Sequence, residues 1–168
     1  MSKHMYFSIF GLFSGCSSLF TIPDISNWNT KEVMNFNSVF SGCSSLIELP
    51  DISKCDTGNA IILDSLFKGC KSLIKLPDIS NWNVENVQEM ENIFYNCNSL
   101  KTLPDLSKWK TSNIINISKM FKRRTSLNHL QDISNWFIDK VINVEKIFYA
   151  CSSLNILPDI SIWKTKKC

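Results

Sequence analysis

The sequence predicts an α/β repeat protein, a curved solenoid with a short parallel sheet on its concave side and short helices on its convex side. Three observations lead there. First, the stretch Cys70 to Trp82, CKSLIKLPDISNW, recurs at one spacing, with copies beginning at Cys16, Cys43, Cys70, Cys97, Arg124 and Cys151. The phenylalanine three residues earlier keeps the same register, at Phe13, Phe40, Phe67, Phe94, Phe121 and Phe148, and each step is 27 residues without insertion or deletion. A strict period of that length is the mark of one supersecondary unit stacked on itself. Second, each unit carries a short apolar stretch that ends at a bend. Third, each unit then shows apolar residues at helical spacing.

Residues 1–12 read as a partial N-terminal repeat, because Tyr6, Ile9 and Leu12 match the later columns Val87, Met90 and Ile93. Residues 13–168 read as six 27-residue units, the last incomplete, in one continuous solenoid. In repeat three, Leu73 and Leu76 are expected to point to the core, with Ile74 and Lys75 between them. Leu76-Pro77-Asp78-Ile79 then bends, since proline presets φ and aspartate after it suits a type I turn. Proline also removes a backbone donor, so the strand is about three to five residues long.

The second half of the unit reads as a helix. Val87, Met90, Ile93 and Phe94 form one apolar face, while Glu85, Gln88, Glu89 and Glu91 point elsewhere. Thr30, Thr57, Thr111 and Thr165 precede this segment as N-caps. Repeat two is the weakest helix, with Gly58 and without the usual charges. Strands stack about 4.8 Å apart and helices about 8–10 Å apart. That mismatch curves the stack, with the sheet inside.

The recurring F-x-x-C-x-S-L-x-x-L-P-D-I-S-x-W, with T-x-x-V and a Met-Phe or Ile-Phe end to the helical half, resembles the BspA-type leucine-rich repeat, a surface-protein repeat family. The likeness covers Tyr6 to Thr165. It implies a curved solenoid used for protein–protein interaction or adhesion, and no catalysis. The chain departs from the pattern at Cys55 for tryptophan, Arg124 for cysteine and Gln131 for proline.

Composition narrows the classes of function. The net charge is +3 with acids and bases interspersed, so no basic stripe marks a nucleic-acid binder. The internal run Lys122, Arg123, Arg124 and the tail Lys164, Lys166, Lys167 read as solvated surface. No apolar run reaches the 18 or so residues that span a bilayer. The N-terminal MYFSIFGLFSGC imitates a lipoprotein signal, but FSGCSSL at 13–19 returns at 40–46, so the repeat already explains it. Seven cysteines argue against a paired disulfide framework. Free cysteines and the lack of a convincing signal favour an intracellular location, with the cell surface as the alternative.

Several columns look like sites. Five thiols in one column suggest zinc, but one ligand per repeat makes no tetrahedron, and of the two histidines, His4 and His129, neither shares that column. The thiols read as core. Asp24, Asp51, Asp78, Asp105, Asp132 and Asp159 form a complete column. Each is expected to accept N–H bonds within its own turn, from the serine two residues on, rather than to hold a cation. Both serine columns, Ser18 to Ser153 and Ser26 to Ser161, read as backbone-closing hydroxyls, with no adjacent base to make a nucleophile. Trp28, Trp82, Trp109, Trp136 and Trp163 read as core, each indole N–H meeting a carbonyl. The expectation is therefore no catalytic residue, no metal and no cofactor.

The informative positions are those that vary between the two strand leucines. The pairs are Phe20-Thr21, Ile47-Glu48, Ile74-Lys75, Lys101-Thr102, Asn128-His129 and Asn155-Ile156. The expected partner-binding residues on the concave face are Phe20, Ile47, Ile74, Lys75, Lys101 and His129, since a row of exposed apolar side chains marks an interaction surface. The reading is a non-catalytic scaffold for a protein partner, without nucleic acid or a membrane span. The alternatives are a structural subunit that self-associates end to end through uncapped repeats, and a fragment of a surface adhesin.

Overall fold

Residues one period apart lie directly over one another. The structure, a computed structural model, describes residues 7–161 and Trp163. The readings made for His4, Tyr6, Lys164, Thr165, Lys166, Lys167 and Cys168 fall outside those residues. Phe13, Phe40, Phe67, Phe94, Phe121 and Phe148 form one continuous column of parallel rings, with centroids 5.7, 5.8, 5.8, 5.9 and 5.6 Å apart in turn. Offset stacking at that spacing is favourable beyond the area it buries. Leu46, Leu73 and Leu100 are all fully buried in the same core. One stack with one core is therefore the architecture, and each rung buries its apolar side chains against the rungs above and below.

The parallel ladder is present but displaced from its expected place. Strand β1 (Phe7–Ser8) pairs in parallel with β2 (Val33–Asn35). The pairing continues as single parallel bridges, Asn35 to Ile62, Ile62 to Glu89, Glu89 to Asn116 and Asn116 to Asn143. These positions follow the threonine column, in the half of the unit that reads as helical. The leucine segment carries sparser links: the Ile47 N–H donates to Phe20 O at 3.3 Å and the Ile74 N–H to Ile47 O at 3.1 Å. Proline after the second leucine, as at Pro50 and Pro77, removes the donor that would extend the pairing.

Among the described residues there is no helix; the segment expected to be helical is a succession of turns. Two columns in every unit take positive φ. One runs Gly11, Ser38, Ser65, Asn92, Lys119, Lys146, and the other Gly15, Gly42, Gly69, Asn96, Arg123, Ala150, all between 55° and 77°. A right-handed helix cannot pass through such a residue. The freed donors cross to the next rung instead. The N–H groups of Phe36, Ser38, Phe40 and Gly42 donate to Ile62, Asp64, Leu66 and Lys68 carbonyls at 3.0, 2.9, 3.0 and 2.7 Å. The same four-bond pattern recurs one period on, from Leu63, Ser65, Phe67 and Gly69. The spacing of Val87, Met90, Ile93 and Phe94 does identify inward side chains, for all four are fully buried. Three-residue turns and a helix share that spacing.

The threonines do not cap helices. Thr30, Thr57 and Thr111 are buried, and each Oγ1 donates to a carbonyl on the following rung, at Asp56, Asn83 and Phe137, always at 3.0 Å. Asn59, Asn86 and Asn113 staple the other way, each Nδ2 donating to the preceding rung at Lys31, Gly58 and Glu85. Backbone carbonyls thus find partners on neighbouring rungs that no local secondary structure supplies.

Candidate binding face

The variable pairs sit where the leucine segment leaves the core, and both members of every pair are exposed. Phe20, Ile47 and Ile74 are 63%, 45% and 54% exposed, on adjoining rungs linked by the backbone bonds just described. Beyond them the column turns polar at Lys101, Asn128 and Asn155. In the next column Lys75 lies 3.9 Å from Glu48, and both side chains are largely in water, so the pair adds little. Lys101 and His129 are likewise exposed. An open recess of about 480 Å³ lies between repeats three and four, lined by Lys75, Thr102, Asp78, Asp105 and Lys108 among others.

The flanking columns are occupied by structure. Cys43, Cys70 and Cys97 are fully buried, and each Sγ donates to the carbonyl of Phe13, Phe40 or Phe67, at 3.1, 3.1 and 3.0 Å. Burial pushes the Cys43 and Cys97 thiols up to about 11, and that of Cys70 in the same direction. At neutral pH they are protonated donors, not nucleophiles. The six described cysteines are free. Each aspartate of the column accepts an N–H from the serine two residues on, at 2.8–2.9 Å. Hydrogen bonds from that serine hold the carboxyls of Asp24, Asp78 and Asp105 below the usual range, chiefly through its N–H. At Asp51 and Asp159 the serine hydroxyl is the larger cause of the same shift. Among the described residues no group of three or more His, Cys, Asp or Glu side chains could hold a metal ion.

Two features escape a reading by residue type. Arg124, in a run that reads as solvated surface, is fully buried in the thiol column. Its guanidinium lies 5.8 Å over the Phe94 ring, Nη2 donates to Leu100 O at 2.6 Å, and Nε and Nη1 meet no acceptor among the described residues. Burial pulls its pKa down to about 10, so it stays charged. The column position was the signal that could have placed it inside. Lys68, Tyr95, Lys122 and Tyr149 also share one column, and Lys122 lies 5.6 Å from the Tyr95 ring and 5.3 Å from that of Tyr149. Such contacts add about 0.5–1 kcal/mol each at exposed sites.

The profile of a Mycoplasma protein of unknown function, DUF285, matches residues 7–103 and again 74–168. The chain belongs to this DUF285 family. Among solved structures it is similar to the T. pallidum leucine-rich repeat protein TpLRR, at 18% identity and a TM-score of 0.47, over 92% of this chain and 72% of that one. It is also similar to a leucine-rich repeat protein from Bacteroides ovatus, at 20% identity and a TM-score of 0.36, over 86% of this chain and 44% of that one. No curated protein matches the sequence. This DUF285 chain has no helix, among its described residues, long and apolar enough to cross a membrane.

Proposed function

We propose that this repeat scaffold binds a protein partner through the face formed by Phe20, Ile47, Ile74, Lys75, Lys101 and His129, and that it does so without catalysis. One observation carries the reading: three large apolar side chains stand exposed on three successive rungs, while their backbones are tied to one another. A rigid apolar row costs little ordering entropy when a partner covers it. The polar continuation at Lys101 and His129 supplies a rim, where charge sets orientation more than affinity. The fitting partner offers an apolar strip flanked by acidic groups.

The test is the triple variant Phe20→Ala, Ile47→Ala, Ile74→Ala. Photo-crosslinking from Ile47 identifies the partner, and its affinity for the triple variant falls at least tenfold while the thermal midpoint moves little. A variant that unfolds would show these residues to be core. Unchanged affinity would place the contact on another face.

A further inference from the structure

We propose that the two edges of the stack are the two halves of one interface, and that its occupant is a second copy of this chain, joined head to tail. The head edge is residues 8–14 and the tail edge residues 144–150. The proposal is independent of the partner-binding face, none of whose residues belongs to either edge.

The bonds between rungs have a direction. In the first rung Ile9, Gly11, Phe13 and Gly15 donate their N–H groups forward to the Asn35, Asn37, Val39 and Ser41 carbonyls, at 3.1, 2.9, 2.8 and 2.7 Å. Four periods on, Ile117, Lys119, Phe121 and Arg123 donate in the same way to Asn143, Glu145, Ile147 and Tyr149, at 3.2, 2.8, 3.1 and 2.8 Å. The two edges are therefore unlike. At the head, the carbonyls of Ser8, Phe10, Leu12 and Ser14 hold the accepting positions, and none takes an N–H from a described residue. At the tail, the N–H groups of Val144, Lys146, Phe148 and Ala150 hold the donating positions, and none meets an acceptor among the described residues. Four donors at one edge match four acceptors at the other, at the same two-residue spacing. Carbonyls do not bond carbonyls, so this set pairs head with tail and not like with like.

The side chains fit the same partner. Leu12 is 53% exposed, whereas Leu66 and Ile93 in its column are 1% and 0% exposed. Cys16 is exposed where Cys43, Cys70 and Cys97 are fully buried. At the tail Phe148 is half-buried where Phe67, Phe94 and Phe121 are fully buried. Each edge is thus a section through the core, and stacked repeats cover such sections. A second copy in register would set Phe13 on Phe148 and Leu12 on Ile147, which continues both columns. The tryptophans add a further match. Trp82, Trp109 and Trp136 each donate the indole N–H to a carbonyl 30 residues back, at Ile52, Ile79 and Leu106. For Trp28 the equivalent carbonyl is Ile160 O of the copy in front. Ile160 O already takes the Trp163 N–H at 3.0 Å, just as Ile79 O takes that of Trp82 at 3.1 Å. Each contact leaves one head and one tail unmatched, so assembly continues past the dimer.

The test is the mass of the whole chain by light scattering over a concentration series. The wild-type mass rises with concentration and passes that of a dimer. A head-blocked variant, Leu12→Glu with Ser14→Glu, and a tail-blocked variant, Tyr149→Glu with Ala150→Glu, each stay monomeric alone. Mixed, they form a one-to-one dimer and nothing larger, because one open tail meets one open head. If Leu12→Glu does not fold, by circular dichroism, Ser14→Glu alone serves as the head block, since that side chain is exposed. The triple alanine variant at Phe20, Ile47 and Ile74 assembles as the wild type does, which separates this contact from the partner-binding face. A wild type that is monomeric at every concentration overturns the proposal. So does a blocked variant that still dimerises by itself, a mixture that stays monomeric, or loss of assembly in the triple alanine variant.

Discussion

Repeats two and five each break the pattern at one core column, in opposite directions. In repeat two a thiol replaces an indole; the rung keeps its place and a recess opens. In repeat five a guanidinium replaces a thiol; the rung again keeps its place and a charge is sealed inside. The thiols of this column donate to a phenylalanine carbonyl 30 residues back, as Cys151 still does to Phe121 at 2.9 Å. The longer Arg124 side chain bonds Leu100 O instead, 24 residues back. The contrast teaches that the stack sets the space at each position before the side chain occupies it. A deficit becomes a void and an excess becomes unmet donors, but neither shifts the register.

The largest break in this comparison is to remove a ring from the aromatic column beside each exception. Phe94→Ala withdraws the ring under Arg124 and the stacking partner of Phe67 and Phe121. It should cost about 3–5 kcal/mol in urea unfolding. Phe40→Ala, which borders the recess, should fall at or below the low end of that range, because its surroundings already include free space and an exposed Trp28. Equal costs would mean that the recess gives the core no freedom to relax.

A smaller effect sharpens the account of repeat five. Arg124→Cys restores the thiol column and removes two buried donors without acceptors. It should raise stability by about 1–3 kcal/mol, the penalty of an unsatisfied buried polar group. A loss of stability would show that the guanidinium is better held than its single short bond indicates.

The smallest effect is electrostatic and again sets the two repeats against each other. Asp64 in repeat two and Glu145 in repeat five share a column. Burial pushes the Asp64 carboxyl up to about 6, with Glu89 and Glu91 adding to it against one N–H bond from Glu91. Exposed Glu145 is held low by a hydrogen bond from Lys146. For Asp64 the folded state binds the proton more tightly than the unfolded chain. Stability from this group therefore grows as pH falls from about 6 toward the ordinary carboxyl range, and is lost as pH rises through about 6. Urea midpoints should be higher at pH 5 than at pH 7, and Asp64→Asn should flatten the difference. For Glu145 the sign is opposite, and its contribution is lost only in acid well below pH 5.

Much of the core was legible from residue columns. The columns and their apolar spacing put Cys70, Leu73, Val87, Met90, Ile93 and Phe94 inside, and all are fully buried. Aspartate after proline correctly announced a self-contained turn. The path between columns was not legible. Positive φ at Ser38, Ser65, Asn92 and Lys119 belongs to residues whose letters carry no such demand, and only Gly11 in that column, with Gly15, Gly42 and Gly69 in the other, hinted at it. Thr30 resembled an N-cap because its true acceptor, Asp56 O, lies on another rung. For Arg124, charge argued for the surface and column for the core; the column prevailed because its neighbours above and below define the space.

What the amino-acid order determined unaided is which side chains share a column, since an unbroken period of 27 leaves one way to superpose the units. What the tertiary structure alone decided is how the backbone runs from column to column, and so where the ladder, the staples and the Cys55 recess fall. The reason is that the bonds between rungs join groups 24 to 30 residues apart, and no local stretch contains both partners.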